Sequence, residues 1–127
     1  NLNAKRDWGY AEDYIKSMWL MLQAKKPSEY VIATGKSRSV REFIQYAFKH
    51  ININIKWHGK GLKEVGYNDK TNDVLIKVDP KYFRPTDIDE LRGDYSKAKK
   101  ELGWKPKTSF SDMVKIMVDS DIKKLSK

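Results

Sequence analysis

A helical stripe followed by a short β-branched run constrains this chain more than any other feature of its sequence. Ala11, Tyr14, Ile15, Met18, Trp19 and Leu22 recur at steps of three and four, which places them on one face of a helix that Pro27 must end. Asp7 is placed to cap its start. Tyr30-Val31-Ile32-Ala33, closed by Thr34-Gly35, then reads as a strand buried on both faces in a parallel sheet. Helix followed by buried strand implies an α/β layer.

The pattern continues downstream. Ser39 with Glu42 forms a capping box ahead of a second stripe, Val40, Phe43, Ile44, Ala47, Phe48 and Ile51. Alternation through Ile51, Ile53, Ile55 and Trp57 suggests a strand with one buried face, and Leu62 to Tyr67 is expected to pair with Val74 to Val78 across the polar turn 68–72. Asp94 is a cap ahead of a helix from Ser96 to Leu102, stopped by Gly103 and Pro106. Ser109 and Asp112 open a last helix whose apolar face is Phe110, Met113, Val114, Met117, Val118, Ile122 and Leu125. No internal repeat, low-complexity tract or glycine-rich linker interrupts the chain, so it reads as one unit with frayed C-terminal lysines.

Composition narrows the chemistry. A chain of 127 residues that is 39% hydrophobic has the apolar surface for a core. No apolar run approaches the roughly 18 residues of a membrane span. Cysteine is absent, which excludes disulfides and thiolate metal sites, and two isolated histidines, His50 and His58, do not make a zinc site. The net charge of +9 predicts attraction to polyanions or phosphate-bearing ligands without choosing among them. The N-terminus has neither an initiator Met nor a signal-peptide core, and reads as the interior of a longer protein.

Three blocks narrow the choice: Asn1 to Tyr14 (NLNAKRDWGYAEDY), Tyr30 to Phe43 (YVIATGKSRSVREF), and Val78 to Val118 with its run Tyr-Phe-Arg-Pro, Gly-Asp, Lys-Ala and Leu-Gly-Trp-Lys-Pro. Taken in order they resemble the C-terminal part of the GDP-mannose 4,6-dehydratase family, within the extended short-chain dehydrogenases/reductases. The resemblance implies an α/β Rossmann-type enzyme, with residues 1–35 contributing a helix and a parallel strand to a dinucleotide-binding domain and residues 36–127 forming the sugar-nucleotide-binding domain. It implies a cytoplasmic lyase, a homo-oligomer when full length, that converts GDP-mannose to GDP-4-keto-6-deoxymannose on the way to GDP-fucose and other deoxysugars. Its NADP would be held by the missing N-terminal domain. Tyr10, the basic stretch Lys36-Ser37-Arg38, Tyr95 and a shortened segment 59–72 depart from the family's usual pattern.

In residues, the resemblance implies that Arg6 and Arg84 meet on the ligand's diphosphate, and guanidinium suits this because it grips two phosphate oxygens at once. The alternative is that both are surface charges. Pro85 biases Arg84 to extended backbone, which projects its side chain from a constrained position. Asp87 fits a ribose diol, whose two hydroxyls one carboxylate can accept, or else caps the turn into Ile88 to Leu91. Asn3 and Lys5 are further nucleotide contacts by resemblance, although a flexible polar terminus would look the same. Trp8, Trp104, Tyr82 and Phe83 are assigned to packing.

The chemistry itself has no residues here. There is no Tyr-x-x-x-Lys pair and no G-x-G-x-x-G or G-x-x-G-x-x-G turn for dinucleotide phosphates, so no catalytic, cofactor-binding or metal residue is assigned and the chain alone is expected to be inactive. Two other readings stand beside this one: another nucleotide-sugar epimerase, dehydratase or reductase of the same fold, and a small basic nucleic-acid-binding module. No one-sided Lys/Arg helix stripe and no RNA-binding motif supports the latter, so neither nucleic acid nor membrane is an expected partner.

Overall fold

A computed structural model describes residues 1–127. Helix α1 (Ala11–Gln23) forms where the stripe places it, with Glu12 and Asp13 in its first turn complementing the helix dipole. Its cap differs from expectation. Tyr10 holds the N-cap position and no side chain caps the helix, because the Asp7 carboxylate is engaged elsewhere. Asp7 accepts from the Thr34 N–H at 2.9 Å, the Thr34 hydroxyl at 2.5 Å, the Gly35 N–H at 2.9 Å and the Gly93 N–H at 3.2 Å. One carboxylate therefore ties together three segments distant in sequence. Gly93 is required in this arrangement, since a Cβ there would stand 2.3 Å from that of Ala33.

The run Tyr30 to Ala33, expected as a strand, makes no ladder within the chain: none of its backbone groups has a backbone hydrogen-bond partner. A strand needs a neighbour to satisfy its N–H and C=O groups. Val31 is 56% exposed, and so is the outer face of α1, with Ile15 at 61%, Met18 at 60% and Leu22 at 82%.

Strand β1 (Lys5–Arg6) pairs antiparallel with β2 (Arg38–Ser39), Lys5 opposite Ser39 and Arg6 opposite Arg38. On its other edge the Lys5 N–H donates to the Asp89 carbonyl at 2.8 Å and the Leu91 N–H donates to the Lys5 carbonyl at 3.0 Å, a parallel bridge. Segments from all three family-like blocks thus lie side by side.

Helix α2 (Val40–His50) begins with the expected capping box: the Glu42 N–H donates to Ser39 Oγ at 3.1 Å, and the Ser39 N–H donates to Glu42 Oε2 at 2.7 Å. The bond from the Ser39 backbone, with help from the Ser39 hydroxyl and Arg38, holds the Glu42 carboxyl below its ordinary value near 4.5. A carboxyl depressed in the folded state stabilises fully above its unfolded value, and that contribution is lost as pH falls through the lower, folded value. We expect the urea midpoint to fall below pH 4.5 by less in Glu42→Gln than in the parent, the cap being worth about 1 kcal/mol. Parallel acid slopes for the two proteins would contradict this.

Strands β3 (Ile55–His58), β4 (Val65–Asn68) and β5 (Val74–Lys77) form an antiparallel sheet in that order, which contains the expected hairpin. The first strand starts later than its alternation suggests, because α2 reaches His50 and the turn beyond it puts Asn52 at φ 62°. Gly61–Lys63 is a turn of 3₁₀ helix where Leu62 was expected to open the second strand. In the hairpin turn the Asn68 side chain accepts from the Lys70 N–H at 2.9 Å, which fixes the reversal.

Helix α3 (Ser96–Leu102) has Tyr95 at its N-cap position, while the Asp94 carboxylate accepts from the Ser96 N–H at 2.9 Å; Gly103 at φ 65° ends it. Helix α4 (Phe110–Leu125) is capped by Ser109 as expected. α1 packs on α3, and α2 packs on α4. Trp104, 2% exposed, meets Tyr14 and Tyr95 edge to face at ring-centroid distances of 6.0 and 5.7 Å, and Trp8, Phe43, Tyr46 and Phe110 form a second aromatic cluster. Together with Ala4, Ala33, Ala98, Met113 and Val114 these residues make a thin core that leaves α1 half covered.

Candidate functional site

The ribbon around β1 positions Arg6. Its side chain, 27% exposed, donates from Nη1 to the Lys5 and Ile88 carbonyls at 2.7 and 2.8 Å, and from Nη2 to Asp87 Oδ1 at 2.8 Å. Asp87 Oδ1 also accepts from the Ile88 N–H at 2.9 Å. Three of the five guanidinium N–H groups are thereby committed, and Nε–H with one N–H of Nη2 remain. The pair is charge-assisted and the added carbonyl bonds fix its geometry, so Arg6 is a preset cationic edge rather than a waving surface charge.

Of the residues singled out in the sequence, the structure joins Arg6 directly to Asp87, 81 positions away. Asp87 also makes a local contact with the Ile88 N–H, which matches its reading as a cap of the turn. Arg84 is exposed and forms no hydrogen bond or ion pair. It lies three residues before Asp87, hence within about 11 Å of it along the chain. Lys5 is exposed beside Arg6, and the lysine lowers the Glu90 carboxyl together with Arg92, after the larger effect of a hydrogen bond from the Ser37 hydroxyl. Asn3 Oδ1 accepts from Arg41 Nη2 at 3.0 Å, and Arg41 also pairs with Glu64 and lies 4.7 Å from the Trp57 ring centroid.

Sequence reasoning missed the roles of two carboxylates that tie distant segments together. Asp7 is the first. Asp13 is the second: its Oδ2 accepts from the N–H groups of Lys107 at 3.1 Å and Thr108 at 2.8 Å, and its carbonyl accepts from Trp104 Nε1 at 2.8 Å. Nothing local marks either role. These carboxylates, after burial, also raise the Tyr14 phenol above its ordinary value of 10.0. A phenol shifted that way is a poor base near neutral pH.

A match to known proteins decides the family. The model of the family described as GDP-mannose 4,6 dehydratase matches residues 1–117. The chain belongs to this family. It is 54% identical over its whole length to the GDP-mannose 4,6 dehydratase of Drosophila melanogaster, 57% identical over 96% of its length to that of Dictyostelium discoideum, and 52% identical over 96% to that of Homo sapiens. In these it covers 32%, 34% and 33% of the relative, so the chain spans about a third of the length of the curated relatives it matches. Among solved structures it aligns over 98% of its length with RMD from Pseudomonas aeruginosa complexed with NADPH (TM-score 0.72, 14% identity, 35% of that chain). It aligns equally fully with UDP-glucose 4-epimerase from Thermotoga maritima with UDP-glucose (TM-score 0.70, 22% identity, 34% of that chain). Both likenesses establish the fold, an α/β arrangement shared with about a third of each of these chains. No helix of the chain is long and apolar enough to cross a membrane.

Proposed function

We propose that this chain is the nucleotide-sugar-binding part of a GDP-mannose 4,6-dehydratase, in which Arg6 and Arg84 hold the diphosphate of GDP-mannose, Asp87 faces the ribose, and Asn3 and Lys5 flank the nucleotide. The observation that carries this reading is the Arg6–Asp87 pair, which draws two distant family-like blocks together. The uncommitted N–H groups of Arg6 and the unpaired Arg84 are the donors left for phosphate oxygens. Asp87 has a second carboxylate oxygen available beyond the bonds on Oδ1.

The reaction belongs to residues outside this chain. Its closest glycine spacing, Gly59, Gly61 and Gly66, follows β3 and does not form a strand-to-helix dinucleotide turn, so NADP does not fit the residues present. In the proposal NADP sits in an upstream domain, against which residues 1–35 rest through the open backbone of 30–33 and the exposed face of α1. The 127-residue chain alone is then inactive, and the full-length lyase is an oligomeric enzyme of the cytoplasm.

In the full-length enzyme, Arg84→Ala should weaken GDP and GDP-mannose alike by about ten- to a hundredfold, the loss of one charged hydrogen-bond partner. Arg84→Lys should recover only part of this, because an ammonium lacks the guanidinium fork. Calorimetric titration of GDP measures both. Unchanged affinity in Arg84→Ala would remove Arg84 from the site.

A further inference from the structure

A cleft of about 380 Å³ opens between the start of α4 and the 34–38 loop, and it shares no residue with the Arg6 corner. Its lining includes three cations, Lys36, Arg38 and Lys107, and no carboxylate. The ammonium groups of Lys36 and Lys107 have no partner in the chain. Arg38 is only loosely offset by Glu42 at 3.5 Å, and its guanidinium lies 5.5 Å from the Phe110 ring centroid. Asp112, the nearest acid on α4, is turned back onto the Ser109 hydroxyl at 2.8 Å.

Aromatic rings build the rest of the wall. Phe110 is braced edge to face by Tyr46 at 5.2 Å and packs on Trp8 at 6.1 Å, so its ring is held in place. Tyr46 is 37% exposed, and its hydroxyl, like that of Tyr95, makes no hydrogen bond within the chain. The Phe110 and Ser111 N–H groups at the start of the 16-residue α4 are also without acceptors in the chain. The carboxylates beside the lining, Asp7 and Asp13, are committed to the N–H groups of Thr34, Lys107 and Thr108, which leaves uncommitted cations and free donors beside aromatic rings, a match for a dianion attached to a ring.

We propose that this cleft is a second ligand site, separate from the Arg6 corner, which binds a small molecule carrying a phosphate next to an aromatic ring. The phosphate lies between Lys36 and Lys107 and the ring rests on Tyr46 and Phe110. Calorimetric titration of the full-length protein with phenyl phosphate tests it. Phenyl phosphate should bind about three- to tenfold more tightly than inorganic phosphate, the increment of one aromatic contact. Lys36→Ala combined with Lys107→Ala, both on the exposed surface, should weaken it by at least about tenfold, and Tyr46→Leu should abolish its advantage over inorganic phosphate. Arg84→Ala should leave it unchanged, which separates this site from the proposed diphosphate site. Absence of phenyl phosphate binding at millimolar concentration, indifference to the paired lysine substitutions, or loss in Arg84→Ala would each overturn the proposal.

Discussion

Trp104→Ala is expected to cost about 3–5 kcal/mol, the range for deleting a large buried aromatic. Trp104 is 2% exposed, it contacts Tyr14 on α1 and Tyr95 ahead of α3, and its indole N–H closes on the Asp13 carbonyl. Its removal opens a cavity between α1 and α3 and takes away the indole bond to the Asp13 carbonyl in the same step. For a domain of this size the melting temperature should fall on the order of 10–20 °C. Trp104→Phe keeps most of the ring and loses only the hydrogen bond, so its cost should be about 1–2 kcal/mol. Urea or thermal unfolding of the two variants separates packing from bonding. Equal losses would show that the indole N–H, rather than ring volume, carries the contribution.

Asp7→Ala is the second large effect. It strands the N–H groups of Thr34, Gly35 and Gly93 at a partly buried junction. An unsatisfied buried donor costs about 1–3 kcal/mol, and three at a half-wet site should total about 3–5 kcal/mol. Asp7→Asn retains an acceptor oxygen of the same shape, and roughly half the loss should return. Amide hydrogen exchange gives the sharper check, because protection at 34, 35 and 93 should collapse together although 93 lies far along the chain. Independent changes at those amides, or a total cost below about 1 kcal/mol, would contradict the hub.

The contrast between Asp7 and Ser39 shows which parts of this fold the sequence makes legible. Ser39 bonds Glu42 three residues away, and Ser109 bonds Asp112 at the same spacing, so both caps are local chemistry and can be read directly. Asp7 looks equally like a cap, four residues ahead of α1, but its partners lie 27 to 86 positions downstream and no local pattern encodes that distance. The same limit explains Ile51 and Ile53, whose alternation continues a strand pattern across a turn set by Asn52. For the candidate site, resemblance indicated Arg6, Arg84 and Asp87 as residues of interest. That Arg6 and Asp87 grip each other is a three-dimensional fact, absent from any spacing. Asn3 is another case: its carboxamide oxygen bonds Arg41, 38 positions away, a contact that no spacing encodes.

The Arg6 fork also bears on how any anion captured there would divide its heat and disorder. An arginine side chain carries about 2 kcal/mol of rotamer entropy. In Arg6 that freedom is surrendered when the chain folds, because three hydrogen bonds already fix the guanidinium. Arg84, with no partner, retains it until something binds. A contact to Arg6 is therefore favoured mainly by enthalpy with little further ordering, whereas the same contact at Arg84 must first freeze a side chain. Two residues of the same type thus differ in thermodynamic character, and an anion contact made by Arg84 would weaken on warming sooner than one made by Arg6.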